Sequence, residues 1–210
     1  MRAVFVEVPE GLIRQRRRND VDKFDEMWDG ELHMSPLPSW EHQRMDRGIG
    51  DFFTHHWEKL GEGITASHVG VKAHGTPDIE VAGESVPRDY KGPDQLFLLK
   101  GHEDRVQQGW VVGAPDAVLE IRSPGDETYK KFPFYHFLGV PEVIVVHRDT
   151  KGVEVYTRGA VGYDRVPTDP DGSVASRILD TSFRTELDPA SKQPVLRLRR
   201  LRFPDREGVV

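Results

Sequence analysis

Residues 114–124 read APDAVLEIRSP, and at their centre the run Ala117 to Ile121, AVLEI, is apolar on both sides of a single acid. A short apolar run of both parities predicts a central strand covered on both faces. A carboxylate in its middle is costly to bury without a partner. Strand side chains alternate with period two, so Glu120 and Arg122 face the same side of the sheet and hold an acid and a cation on one surface. C-terminal to this strand come a helical stretch and two further strands, Glu142 to His147 and Gly152 to Thr157, joined by a turn at Asp149 to Gly152. N-terminal to it lie strand-like segments, ITASHVGVK (64–72) and Pro77 to Val81. Before those, Ser39 caps a helix with Met45, Ile49, Phe52, Phe53 and Leu60 at helical spacing, ended by Gly61. Still earlier, WDGELHM (28–34) predicts a turn at Asp29-Gly30 leading into a short strand that carries Glu31. Strands and helices in this order predict an α+β or α/β domain on a central sheet.

Composition sets the outer limits. The chain has 210 residues, 29 basic and 35 acidic side chains for a net charge of -6, and no cysteine. At roughly 150 residues per domain this length predicts a single domain, 1–210. Without cysteine there is no disulfide framework, thiolate nucleophile, zinc ribbon or iron–sulfur cluster. The apolar runs are far shorter than the roughly 20 residues that cross a bilayer, and no signal peptide is evident. A cytoplasmic protein without membrane contact is therefore expected. The acidic balance argues against a protein that coats nucleic acid by bulk charge, though not against a local basic site. The basic run Arg14 to Arg18 reads as a solvated helix face, and Arg197 to Arg202, alternating with leucines, as an edge strand guarded by charge. Asp169, Asp171 and Gly172 lack the remaining ligands of a calcium loop and read as a turn.

The residues that could carry chemistry gather around the expected central strands. Asp78 follows a proline in GTPDIEV, and Glu120 lies in the central strand. Two carboxylates converging from neighbouring strands suit a hard divalent cation such as Mg²⁺ or Mn²⁺, with the backbone carbonyl of Ile121 as a third oxygen. Such a cation makes a bound water nucleophilic and polarises a phosphodiester, while a nearby Lys or Arg stabilises the charge that develops. The same residues also admit a plain reading, with Asp78 ending a turn and Glu120 paired to Arg122.

The wider pattern is more specific. DGELHMSPLPSWEHQR, PDIEV, VVGAPDAVLEIRSP, then Asp126, Lys131, Tyr135 and GVPEVIVV resemble, in order, the Uma2 family, also called DUF820, of restriction-endonuclease-like proteins. The resemblance implies the PD-(D/E)XK nuclease fold, a central mixed sheet flanked by helices, here over residues 25–160. A β-rich C-terminal extension would follow at 161–210. It implies that Asp78 and Glu120 are metal ligands, that Lys131 takes the role of the triplet lysine where this chain has Arg122, and that Glu31 and His42 assist. It further implies a Mg²⁺- or Mn²⁺-dependent endonuclease acting on DNA as a homodimer. The alternative is a catalytically inactive nuclease-fold dimer, a nucleic-acid-binding or scaffold module whose acids form a structural ion-pair network.

Two features of this chain stand apart from the pattern. Pro133, two residues after Lys131, requires that the helix begin late, near Thr128 or Lys130, because a helix interior rejects proline. Lys131 would then lie at the helix mouth, with Lys130 or Arg122 as substitutes. The stretch GPDQLFLLKGHEDRVQQGW (92–110), within the interval 91–112, reads as an insertion between Asp78 and Glu120, serving as a lid or dimer element.

Overall fold

The structure, a computed structural model, describes residues 9–210 and the backbone of the strand Ala3–Phe5. Its centre is a six-stranded mixed sheet in the order Tyr163–Arg165, Val153–Arg158, Glu142–His147, Ala117–Arg122, Gln95–Leu99, Gly63–Ser67. Ala117–Arg122 is an interior strand. It runs parallel to Glu142–His147, with Glu120 beside Val145, and antiparallel to Gln95–Leu99. Parallel neighbours need a crossover, and here it holds a 3-10 turn, Thr128–Lys131, followed by the helix Phe132–Leu138. The helix does begin late. Pro133 occupies its first turn, where a missing N–H costs no helical bond.

Alternation along the strands divides the core in two. Val118, Val143 and Val145 face one side and pack with Leu96 and Leu98 beneath Phe134 and Tyr135 of the crossover helix. Leu119, Ile121, Ile144 and Val146 face the other and meet Met45, Ile49 and Phe53 of the long helix Trp40–His56. That helix is capped by Ser39, whose Oγ accepts the backbone N–H of His42 at 3.3 Å. It ends four residues before the expected Leu60, because the chain bends at fully buried Trp57 into the short 3-10 turn Glu58–Leu60. The second core is completed by Val174, Phe183, Leu196 and Leu198 from the β-rich extension. This extension is an antiparallel sheet of Ser173–Ser176, Thr181–Leu187, Pro194–Arg200 and Glu207–Val209.

Three expectations are corrected here. The basic strand near the C-terminus is interior to its sheet, and its cations are neutralised in place. Arg197 and Arg199 reach Glu207 at 3.0 Å, and fully buried Arg200 binds Glu62 and Asp180 at 2.6 and 2.9 Å. The first basic run, on the helix Glu10–Arg18, is only partly solvated: Arg16 pairs with Asp25 at 2.6 Å and Arg17 with Glu84 at 3.2 Å. The stretch 92–110 is no insertion, since it supplies Gln95–Leu99, a strand of the central sheet. Among the described residues no helix is long and apolar enough to cross a membrane.

Candidate active site

The side chain of Glu120 emerges on the face covered by the crossover and is 3% exposed. Burial of this carboxylate is met by the crossover itself. The Lys131 ammonium lies 3.1 and 3.0 Å from its two oxygens, and the Tyr135 hydroxyl donates to Oε1 at 2.5 Å. Lys131 and Tyr135 are four residues apart, so one turn of chain aims both donors at the same acid. Starting the helix late therefore does not take Lys131 out of reach. A second carboxylate, Glu26 of the hairpin strand Glu26–Trp28, approaches Lys131 at 2.8 Å and accepts the backbone N–H of Gly92 at 2.9 Å.

Asp94 completes the group from the other side. It lies immediately before the strand Gln95–Leu99, and its Oδ2 accepts the N–H of Ile121 at 2.6 Å. The reason lies in the ladder. The antiparallel pairing ends at Leu119 opposite Gln95, and Pro93 beyond has no N–H to offer. On the opposite edge, the Arg122 carbonyl accepts from Arg148 N at 3.0 Å. Alternation then turns the N–H and carbonyl of Ile121 toward Asp94. Asp94 Oδ1 meets His42 Nε2 at 3.0 Å and lies 3.9 Å from His68 Nδ1, whose other ring nitrogen reaches Asp46 at 3.1 Å. Asp94, Glu120, Ile121, His42 and Lys131 all line one cavity of about 620 Å³.

Electrostatics follow from these contacts. Burial pushes Glu120 up to about 7, against the pull of Lys131 and with added repulsion from Asp94 and Glu26. Burial would also raise Asp94, but the bond and charge of His42, with Lys131 and the Ile121 N–H, hold it below the usual carboxylate range. Burial alone would lower His42; its bond to Asp94 and the charges of Asp94, Asp46 and Glu120 outweigh this and raise it. Two carboxylates in one cavity thus differ in basicity, which is a recurrent property of acid–base sites.

The expected residues separate into two groups. Glu120, Lys131, His42 and the Ile121 backbone come together. Asp78 does not join them: it is exposed on a two-stranded hairpin, Asp78–Val81 with Glu84–Pro87, outside the central sheet. The strands beside Ala117–Arg122 are Gln95–Leu99 and Glu142–His147, so Asp78 and Glu120 do not converge from neighbouring strands. Glu31 is also displaced, exposed at the hairpin tip opposite Trp28, and the acid that enters is Glu26. Arg122 shares the face of Glu120 but points past the sheet end, its guanidinium 5.2 Å above the Tyr129 ring. Lys130 faces solvent and pairs with Glu127 at 2.6 Å. Asp94 and Glu26 are therefore the residues that sequence reasoning missed.

The chemistry of these groups limits which metal they could take. Asp94, Glu120 and the Ile121 carbonyl offer oxygen alone and would fit a hard divalent cation that takes few protein ligands and keeps several waters better than a soft one. They do not form a protein cage, and among the described residues no group of three His, Asp or Glu side chains is placed to hold a metal by itself.

Comparison with known proteins agrees with this architecture. No curated protein matches the chain. The fold is similar to the crystal structure of a "putative nuclease belonging to DUF820" from Anabaena variabilis ATCC 29413. That likeness has a TM-score of 0.56 and 15% identity, and it covers 74% of this chain and 83% of the other. At that identity it speaks for the fold alone. The family Uma2, described as "Putative restriction endonuclease", matches residues 12–188, most of the chain, with the carboxylates, the lysine and the tyrosine described above inside the matched span. The protein belongs to the Uma2 family.

Proposed function

We propose that the protein is a Mg²⁺- or Mn²⁺-dependent endonuclease that hydrolyses phosphodiester bonds of DNA. The observation that carries this reading is the meeting of Asp94, Glu120 and Lys131 in one cavity, two carboxylates of different basicity beside a buried ammonium. A divalent cation bound there would supply a polarised phosphate and an acidified water. Asp94 and Glu120, with the Ile121 carbonyl, would hold it. The chain's own groups account for the rest. Lys131, fixed between Glu120 and Glu26, presents positive charge where a phosphate gains negative charge. His42 orients Asp94 and offers a proton donor at the cavity wall. Tyr135 holds Glu120 in one rotamer.

A second reading rests on a specific observation. Both oxygens of Glu120 are already engaged by Lys131, and Tyr135 adds a third bond, so the network is complete as an ion-pair cluster. A nuclease-fold module that binds nucleic acid without cutting it would look the same. Incubation with supercoiled and linear DNA in Mg²⁺, Mn²⁺ or EDTA, beside Glu120→Ala, separates the two. Metal-dependent cleavage lost in the variant supports the enzyme. Equal nicking by both proteins, or none by either, refutes it.

A further inference from the structure

The cavity has an apolar lip that the chemistry above does not use. Leu37, in the Pro36 to Ser39 rim of the cavity, is 62% exposed, and Trp40, the first residue of the long helix, is 76% exposed. No ring, hydrogen bond or ion pair among the described residues engages the Trp40 indole. Large aromatic side chains normally bury most of their area, so an indole this open is a surface awaiting a flat partner. Arg44 and Arg47 follow it at four and seven residues, which places all three along one helical face. Arg44 is exposed, and the pair of Arg47 with Asp51 is loose, at 3.7 Å, with the Arg47 side chain 84% exposed. Arg148 lines the cavity itself and, with Lys151, lies within electrostatic reach of this helix end. Asp149 holds Arg148 at 2.6 and 3.1 Å, and Glu41, Asp51 and Asp149 together offset most of the charge of Arg44, Arg47, Arg148 and Lys151, which leaves a small positive excess.

We propose that Leu37, Trp40, Arg44 and Arg47 form a binding site for an unpaired nucleic-acid strand, with a base stacked on Trp40 and phosphates carried by the arginines and Arg148 toward the cavity. The direction of the strand and its reach to the cavity floor rest on the nuclease reading; the stacking on Trp40 does not. An aromatic platform interleaved with cations is the usual chemistry of single-strand binding, because every base has a π-face and an unpaired one exposes it. In a duplex those faces are stacked and hidden. Glu120 and Lys131, only 3% and 4% exposed at the cavity floor, also favour a flexible strand over a rigid duplex.

Fluorescence anisotropy in EDTA tests binding apart from cleavage, using labelled oligothymidylate of about twelve residues and a duplex of the same length. The single strand should bind more tightly than the duplex. Trp40→Ala should weaken it by about 5- to 100-fold, whereas Trp40→Phe keeps most of the affinity. Arg47→Ala should flatten the salt dependence. Because Trp40 is exposed, these variants should fold, and a urea transition unchanged from wild type checks that they do. Wild-type affinity in Trp40→Ala, or a preference for duplex, overturns the proposal. So does a dimer that Trp40→Ala converts to monomer while oligonucleotide binding is kept, since the lip would then be a contact between copies. Glu120→Gln separates the two readings: loss of cleavage beside normal Trp40→Ala binding leaves the nuclease standing, and the reverse leaves the stacking site standing.

Discussion

Replacing Glu120 by glutamine removes a titration from the core while keeping the shape that Tyr135 and Lys131 contact. In the folded chain Glu120 is pushed from the ordinary glutamate value of 4.5 to about 7. A group with a raised folded value stabilises the protein fully below its unfolded value, and that contribution is lost as pH rises through the folded value. The window is therefore pH 4.5 to 7, and the full loss corresponds to about 3 kcal/mol. Between pH 5 and 8 wild type should lose roughly 2–3 kcal/mol at this residue that Glu120→Gln does not. His42 is held up in part by the Glu120 charge and trims the difference slightly. Glu142, also raised to about 7 by burial, titrates in the same window but is common to both proteins and cancels. Urea unfolding at pH 5, 6, 7 and 8 measures the difference directly. The variant should gain on wild type steadily from pH 5 to 7 and level off above. Parallel stability profiles for the two proteins would refute the argument, because Glu120 would then keep an ordinary acidity despite its burial.

Three further outcomes follow from the contacts of the site and of the C-terminal sheet. Asp94→Ala should reduce metal-dependent DNA cleavage by at least about 100-fold, whereas Asp78→Ala, on its separate hairpin, should stay within about twofold; a plasmid nicking assay compares them. Lys131→Met strands Glu120 and Glu26 in the core and should cost about 3–5 kcal/mol in urea unfolding at pH 8, with the deficit shrinking as the pH is lowered toward 5. Arg200→Met removes a fully buried guanidinium from Glu62 and Asp180, both of which keep Arg202 as a partner, and should cost about 1–3 kcal/mol, seen as a lower midpoint in thermal unfolding.

The parts of the site that sequence reasoning finds are those set by local pattern. AVLEI has the apolar pattern of an interior strand, and Lys131 and Tyr135 have the spacing of one helical turn, so Glu120 and its two donors are legible together. Asp94 is harder to find because it competes with Asp78 for the same Pro-Asp signal, and Asp78 stands in TPDIEV, which alternates like an ordinary strand. The signal that separates them is the polarity of the residues on the C-terminal side of each aspartate. DIEV is half polar and forms an outlying hairpin, while QLFLL after Asp94 carries the apolar run that a central strand needs. Glu26 is hidden for another reason. The Asp29-Gly30 turn is legible, but which strand of a hairpin faces a cavity depends on the groups packed beneath it. Glu26 is drawn in by Lys131 and by the N–H of Gly92, far away in sequence.

That distance has a consequence for when the site exists at all. Glu26 and Lys131 stand half a chain apart, with Asp94 and Glu120 between them. Contacts of such separation form late, because their loop-closure entropy must be met before any bond rewards it. A growing chain therefore carries all three acids before Lys131 is made, and the local Lys131–Glu120 contact, 11 residues apart, can form before Glu26 joins it. On the nuclease reading, cleavage would be tied to completion of the fold, because the crossover that carries Lys131 must be docked for the three acids to share its ammonium.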